Sequence, residues 1–257
     1  MTKPLILEKK INTHNKKINV DGDKSLSIRW VLLASQATGI SKAYNLLMSE
    51  DVIAAINSVK KLGIKVKKYK NYCEIFGNGI NGFRYKKNLI VDAKNSGTLG
   101  RLILGLLIKS PQKIKLIGDY SLSKRDFSRV TVPLEKFGAK FFYKKKNKLP
   151  LTILGSKSVK GINYIENKGS AQCKSSVMLA ALNSTGTTSI KAKKSRNHSE
   201  LLFKYLKIPI KVKKTKKYDF IDIKQPKRIK AFNYQIPGDI SSSAFFMVLT
   251  TLAFNSK

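Results

Sequence analysis

Asp21–Ala34 reads DGDKSLSIRWVLLA, and the chain is organised around this stretch. Leu26, Trp30, Leu33 and Ala37 recur at helical spacing, which predicts a buried apolar stripe on a helix spanning 22–38. Ser25 and Arg29 lie four apart and so share a face. Lys24 falls in the first turn, where free N–H groups and the positive end of the helix dipole attract anions. The same grammar recurs as Asn95-Ser-Gly-Thr-Leu-Gly-Arg101 before LILGLLI, and as Gly169-Ser-Ala-Gln-Cys-Lys-Ser175 before SVMLAAL. A fourth copy is Pro237-Gly-Asp-Ile-Ser-Ser-Ser243 before AFFMVL. Gly22, Gly97, Gly169 and Gly238 recur at intervals of 75, 72 and 69 residues. A second series keeps this beat: Leu62–Val66 (LGIKV), Phe137–Phe141 (FGAKF) and Leu206–Ile210 (LKIPI) each end an amphipathic run and enter an extended one. The chain is an internal repeat.

Taken in order, residues 1–20 read as two strands around a lysine-rich turn, the second at Lys17–Val20. The first unit then runs helix 22–38, an extended link at Ala43–Leu47, a helix from Ser49 to Leu62, and strands at Ile64–Lys68 and Tyr72–Phe76. The second unit has a helix from Asn95 to Ile108, a strand at Ile114–Ile117, a loop at Gly118–Asp126 and a helix at Val130–Phe137. The third has a helix from Gly169, a strand at Thr188–Lys191, a helix at Glu200–Leu206, and strands at Ile208–Lys213 and Phe220–Lys224. The expectation is an α/β protein of three helix-strand-helix-strand-strand units closing into one globular domain over 21–230. Residues 1–20 and 231–257 are then parts of an incomplete second domain.

The 257 residues carry 51 Lys and Arg against 15 Asp and Glu, a formal charge of +36. A nucleic-acid partner is the first reading of such a charge. Only seven of these cations are arginine, and five fall in the motif stretches: Arg29, Arg101, Arg125, Arg129 and Arg196. The lysines are spread along strands and loops, so they read as a solvated coat rather than a specific nucleic-acid face. Cys73 and Cys173 are too few for a disulfide framework or a four-ligand metal site, and His14 and His198 have no metal-ligand spacing. Ala244–Phe254, the longest apolar run, is far shorter than the ~20 residues that span a bilayer. The default is a soluble, cytoplasmic protein without a metal.

The polar clusters fall at helix starts or in turns entering the second helices. Lys24, Ser25, Arg29, Asn95, Gly97, Arg101, Arg125, Ser170, Gln172 and Arg196 could therefore gather at one end of the domain. Several cations at helix N-termini suit phosphate and carboxylate groups, while Ser170 and Gln172 suit hydroxyls. No Ser-His-Asp arrangement, Walker-type loop or Rossmann fingerprint competes. Ser49, Asp51 and Ser199 read as plain helix caps. Arg101 reads as either a ligand of the site or a brace behind it, Arg129 as support for the loop bearing Arg125, Asp239 as a cap or junction residue, and His198 as a polar turn residue.

Six motifs in order resemble the 5-enolpyruvylshikimate-3-phosphate synthase family, the 3-phosphoshikimate 1-carboxyvinyltransferases. Asp21–Arg29 is similar to PGxKSxSxR, Asn95–Arg101 to NSGTxxR, and Gly118–Ala139 to GDxSLxxRPMxRVxxPLxxxGA. Ser170–Ala180 is similar to SAQxKSAxLLA, Ser195–Leu201 to SRDHTExxL, and Pro237–Leu249 to PGDISSAAFFxVAA. The resemblance implies the enolpyruvyl transferase fold, without metal or organic cofactor. It implies transfer of the enolpyruvyl group of phosphoenolpyruvate to the 5-hydroxyl of shikimate 3-phosphate, with release of phosphate, in the synthesis of chorismate and the aromatic amino acids. Lys24, Ser25, Arg29, Ser170, Ala171, Gln172 and Arg196 would hold shikimate 3-phosphate. Lys24, Asn95, Gly97, Arg125 and Gln172 would meet phosphoenolpyruvate. The sequence departs from the family pattern at Asp21 and Asp126, both prolines in the motifs, and Asp126 puts a carboxylate next to Arg125. The family's catalytic aspartate belongs to a second half absent from this chain. The expectation is a truncated transferase, inactive alone, whose segment 244–254 self-associates or docks on a separately encoded C-terminal half. The alternative is a non-catalytic remnant or polyanion-binding protein.

Overall fold

The computed structural model describes Thr13 and residues 15–253. The first unit contains α1 (Lys24–Ser35), β1 (Ala37–Tyr44), α2 (Glu50–Lys61), β2 (Lys65–Lys68) and β3 (Tyr72–Asn78). The second contains β4 (Leu89–Asp92), α3 (Gly97–Leu106), β5 (Ile114–Ile117), α4 (Tyr120–Ser123), α5 (Ser128–Glu135), β6 (Lys140–Tyr143) and β7 (Leu151–Leu154). The third contains β8 (Asn163–Glu166), α6 (Ala171–Ala181), β9 (Thr187–Lys193), α7 (His198–Tyr205), β10 (Ile210–Lys214) and β11 (Tyr218–Lys224). Short strands β12 (Ile229–Lys230) and β13 (Asn233–Gln235) and helix α8 (Ile240–Leu252) follow.

The repeat is literal in the sheets. Their orders are β12/β13-β1-β3-β2, β4-β5-β7-β6 and β8-β9-β11-β10, each with one parallel pair followed by two antiparallel ones. The parallel strands β4 and β8 precede the first helix of their own units, so each enters a βαβ crossover. Neither was read from sequence, because four-residue strands give too little alternation to stand out. Among the described residues the first unit has no strand of its own in this position. β12 and β13 fill it from the far end of the chain, pairing Ala37–Thr38 and Lys42–Tyr44 and closing the ring of repeats. Residues 233–235 thus run along the first sheet. The strand expected at Lys17–Val20 is also absent. That segment finds no ladder partner and instead lies along α8, where Lys16, Ile18 and Val20 face Phe246, Met247 and Thr250. The rest of the strand expected in 1–20 lies outside the described residues.

The turns that end the second helices show the same repetition in the backbone. Gly63, Gly138 and Lys207 occupy one position in the LGIKV, FGAKF and LKIPI series, with φ of +87°, +93° and +54°. A left-handed residue after the last turn satisfies helix-end carbonyls, and glycine adopts it most cheaply. Helix α1 ends at Ser35 rather than 38. Ala37, expected on the helical stripe, starts β1, which gains a seven-residue ladder with β3 instead of one more helical turn.

The first helices of the units form the interior. Every residue from Leu26 to Ser35 of α1 and from Cys173 to Ala181 of α6 is buried, so neither has a solvated face. Helix α3 lies directly against α6. At Gly105 a Cβ would come within 2.2 Å of the Ser176 carbonyl oxygen, so only glycine permits this approach. The Ser176 hydroxyl donates to the Arg101 carbonyl at 2.9 Å across the same contact. In contrast, no residue of α8 is buried, and Phe245 is 79% exposed. Among the described residues no helix is long and apolar enough to cross a membrane.

Candidate functional site

The N-termini of α1, α3 and α6 meet at one end of the molecule. Each opens on a side-chain cap. Asp23 accepts from the Leu26 amide at 2.7 Å, Ser96 from Leu99 at 3.2 Å and Ser170 from Cys173 at 3.3 Å. These caps fix where the helices begin and so aim the remaining free amides and helix dipoles at a common space. Between them opens a cleft of about 270 Å³ lined by Ser25, Arg29, Thr98, Ser170, Ala171, Gln172, Arg196 and His198. A larger cleft of about 670 Å³ beside α2 is lined mainly by residues such as Ile53, Asn57 and Lys61. Of its three lysines, Lys61 and Lys94 are engaged, with the Ile90 carbonyl and with Asp92, and only Lys60 adds a further cation to its lining.

Arg29 is the most constrained group in the smaller cleft. It is 4% exposed. Its Nε donates to Ser199 Oγ at 2.9 Å, one Nη to the Ser25 carbonyl at 2.9 Å, and the other to Ser175 Oγ at 3.0 Å. Ser199 in turn donates to Ser175 at 2.7 Å. A guanidinium has five N–H donors, so one remains free on each Nη. All three partners are neutral, leaving the charge oriented but not cancelled. Burial lowers the Arg29 pKa to about 10, opposed by attraction from Glu200 and Asp23. Ser199 therefore does more than open α7, where the cap position belongs to Asn197 and makes no side-chain bond.

Gln172 joins α6 to α3. Its carbonyl oxygen accepts from Arg101 Nη at 3.0 Å, and its amide donates to Thr98 Oγ at 3.0 Å. The Arg101 guanidinium also donates to the Gly97 carbonyl at 3.1 Å and lies over the Phe127 ring at 5.2 Å. Burial, with repulsion from Arg125 and Arg129, lowers its pKa. A Cβ on Gly97 would fall 2.7 Å from Arg101 Nη and 3.1 Å from Arg125 Nη, so two guanidinium groups converge where this residue has no side chain.

The predicted residues thus divide. Ser25, Arg29, Ser170, Ala171, Gln172 and Arg196 share the cleft. Lys24, Asn95, Gly97 and Arg125 do not line it. The Lys24 ammonium pairs with Asp51 at 3.0 Å, which gives Asp51 a second role beside its place in the first turn of α2. Asn95 donates to Asp119 at 2.6 Å, and this bond, with the Leu122 amide, holds the Asp119 carboxyl below its usual range. Arg125 is exposed beside Gly97. Asp126 is turned to Ser128, whose amide and hydroxyl donate to it at 2.7 and 2.8 Å, and Lys168 and Arg129 are its attracting cations. Ser49 makes no side-chain cap bond, whereas Asp239 caps α8 and accepts from the Lys24 amide at 3.3 Å.

Sequence reasoning missed Thr98, Ser175, Glu166 and the role of His198. Glu166 shapes the loop before α6 by accepting from the Lys168 and Ser170 amides at 3.1 and 3.0 Å. The signal for Ser175 was its place one turn after the motif serine and glutamine. Burial, together with the charges of Arg29 and Arg196, holds the His198 pKa below its ordinary value, so the ring lines the cleft in neutral form near pH 7.

Three helix N-termini, with arginines, hydroxyls and an amide gathered around them, stand at one end of an α/β protein built by threefold repetition. The chain belongs to the EPSP synthase (3-phosphoshikimate 1-carboxyvinyltransferase) family, whose model matches residues 9–255. It is 39% identical over 241 residues to a 3-phosphoshikimate 1-carboxyvinyltransferase of Thermoanaerobacter sp. (strain X514), covering 93% of this chain and 55% of that one. The corresponding protein of Bacillus subtilis (strain 168) is 35% identical over 250 residues, covering 96% and 57%. The EPSP synthase structure from Acinetobacter baumannii superposes with a TM-score of 0.85 at 31% identity, covering 96% of this chain and 56% of that one. The chain spans about half the length of the relatives it matches.

Proposed function

We propose that this chain carries the acceptor-binding half of an enolpyruvyl transferase that moves the enolpyruvyl group of phosphoenolpyruvate to the 5-hydroxyl of shikimate 3-phosphate and releases phosphate. The observation that carries this reading is the Arg29 clamp. An oriented, uncancelled guanidinium lies at the meeting point of three helix N-termini and is suited to an anionic group on a small polar molecule. Ser25, Arg29, Ser170, Ala171, Gln172 and Arg196 would hold shikimate 3-phosphate, with Ser170 and Gln172 reading its hydroxyls. Gly97 and Arg125, with Arg101 beside them, would receive an anionic end of phosphoenolpyruvate. Lys24 and Asn95 would join them only by leaving Asp51 and Asp119.

The cleft lining contains no carboxylate, and His198 is its one proton-transfer group. In this reading residues 21–230 form the phosphoshikimate domain, closed by 229–235, while α8 belongs to a second one. Apolar surface on a second domain, a separate C-terminal half or another copy would cover α8.

Calorimetry with shikimate 3-phosphate and with shikimate tests the acceptor assignment. The phosphorylated compound should bind at one site per chain and shikimate at least tenfold more weakly. Equal binding of the two would refute the role of Arg29 as the phosphate anchor.

A further inference from the structure

Directly beneath the Arg29 clamp lies a second pair of side chains that touches no part of the cleft. Lys174 is fully buried and Glu200 is 4% exposed, and Lys174 Nζ lies 2.6 Å from Glu200 Oε1. The contact is ionic rather than a well-aligned hydrogen bond, and Glu200 Oε2 has no hydrogen-bond partner at all. Taking two charges out of water is costly, and an apolar pair of equal volume is often as stable or more so. Stability alone therefore gives no reason for ions at this depth.

Their neighbours in sequence suggest another reason. Ser175 follows Lys174 on α6, and Ser199 precedes Glu200 on α7. The two helices are thus pinned twice over, once by charge (Lys174 to Glu200) and once by hydroxyl (Ser199 to Ser175 at 2.7 Å). The hydroxyl pin is the same pair of groups that receives Arg29 Nε and Nη. A carboxylate held within the potential of Arg29, yet out of contact with it, stabilises its charge without occupying its donors. Contact with the carboxylate would close the clamp to a ligand.

We propose that Lys174 and Glu200 are positioning residues. Their buried ion pair sets the Ser175–Ser199 hydroxyls and holds the Arg29 guanidinium charged and in register for a phosphate-bearing ligand. The charged or titratable groups around Arg29 are Asp23 on its own helix, Glu200 and His198 on α7, and Arg196 in the turn before it. Lys174 on α6 reaches it through Glu200. Of these, Glu200 contributes the largest attraction. Removing its charge leaves burial and Arg196 to work against the cation, opposed only by Asp23. Without Lys174, in turn, Glu200 loses the partner that fixes its carboxylate at this depth.

Two variants of the full chain separate positioning from bulk stability. Glu200→Gln removes one charge and leaves Lys174 uncompensated. Lys174→Met with Glu200→Met removes both at nearly constant volume and keeps the protein folded should the single variant fail. Two readouts apply. The first is the Arg29 Nε–H resonance, assigned by its loss in Arg29→Lys. Its slow exchange in the wild type should become fast in both variants. The second is shikimate 3-phosphate titration from pH 7 to 10.5, which rests on the acceptor-site reading above. Affinity should fall about tenfold in the double variant at an unfolding temperature near that of wild type. The alkaline loss of binding should move to lower pH in Glu200→Gln. A double variant that keeps both the protected Nε–H and wild-type affinity would overturn the proposal. If the wild type shows the protected Nε–H but binds no shikimate 3-phosphate, the acceptor reading fails while the positioning claim is judged on the resonance alone.

Discussion

Arg29 and Arg125 both lie close to helix N-termini at the same end of the molecule, yet they are held in opposite ways. Arg29 is buried on the interior helix α1, with three of its donors fixed by two serines and a carbonyl. Arg125 is exposed on the loop between α4 and α5, close to Arg101 and Gly97. Asn95 is tied to Asp119 beside it, and Lys24, on the first turn of α1, is tied to Asp51. One side of the site is therefore built before any ligand arrives, and the other is a set of cations awaiting a partner or a rearrangement. Preorganised groups bind without first paying to be ordered. The two halves should therefore differ in what they bind unaided and in how much each mutation costs.

The largest effect should come from destroying the scaffold both halves share. Gly105→Val places a side chain against the Ser176 backbone and must drive α3 from α6, costing about 3 kcal/mol as overpacking. Chemical denaturation should show the loss, and shikimate 3-phosphate binding should fall with it. Wild-type stability and binding in the variant would mean that the close α3–α6 approach is not the common frame.

Arg29→Ala comes next. It removes a charge-assisted contact worth about 1.5–3 kcal/mol, equivalent to roughly ten- to a hundredfold in affinity for shikimate 3-phosphate. Arg29→Lys should not restore it, because a single ammonium cannot reach Ser175, Ser199 and the ligand at once. Arg125→Ala should change the same affinity by less than about fivefold, since exposed charge contacts contribute roughly 0–1 kcal/mol. Titration of both variants against one ligand stock checks the ranking, and equal losses would erase the distinction between the halves.

The smallest effect concerns pH. His198 has a folded pKa below its unfolded value, so as pH falls through 6.5 the folded protein takes up fewer protons than the unfolded chain. The stability linked to this ring is present above pH 6.5 and lost progressively below it. Between pH 7.5 and 5.5 the wild type should therefore lose slightly more stability than His198→Gln. A steeper fall in the variant would reverse the sign assigned to the ring.

How much of this was legible in the sequence follows from range. The helix starts were readable because capping, glycine and apolar spacing act within one or two turns, and the repeat displayed the pattern four times over. Ser25, Arg29, Ser170, Ala171, Gln172 and Arg196 reach one cleft because each sits at a fixed offset from a helix start. The closure of the first sheet by 229–235 was hidden, since nothing local in Ile229–Lys230 or Asn233–Gln235 names β1 as their partner. The Lys174–Glu200 pair was hidden for the same reason. A lysine inside SAQCKSS reads as one more member of the coat until α7 is packed against it. The diversion of Lys24 to Asp51 and of Asn95 to Asp119 likewise depends on contacts between units. Gly63, Gly138 and Lys207 show the reverse case, where the repeat series located a shared backbone turn despite the change from glycine to lysine.

The central claim is that the acceptor half is preformed and the donor half is not. It is tested most directly by titrating the 257-residue chain with shikimate 3-phosphate alone and with phosphoenolpyruvate alone, at one salt concentration and pH. The account predicts saturable one-to-one binding of shikimate 3-phosphate that depends on Arg29, and no measurable binding of phosphoenolpyruvate in the same range. Phosphoenolpyruvate binding that equals or exceeds that of shikimate 3-phosphate and survives Arg29→Ala would contradict it.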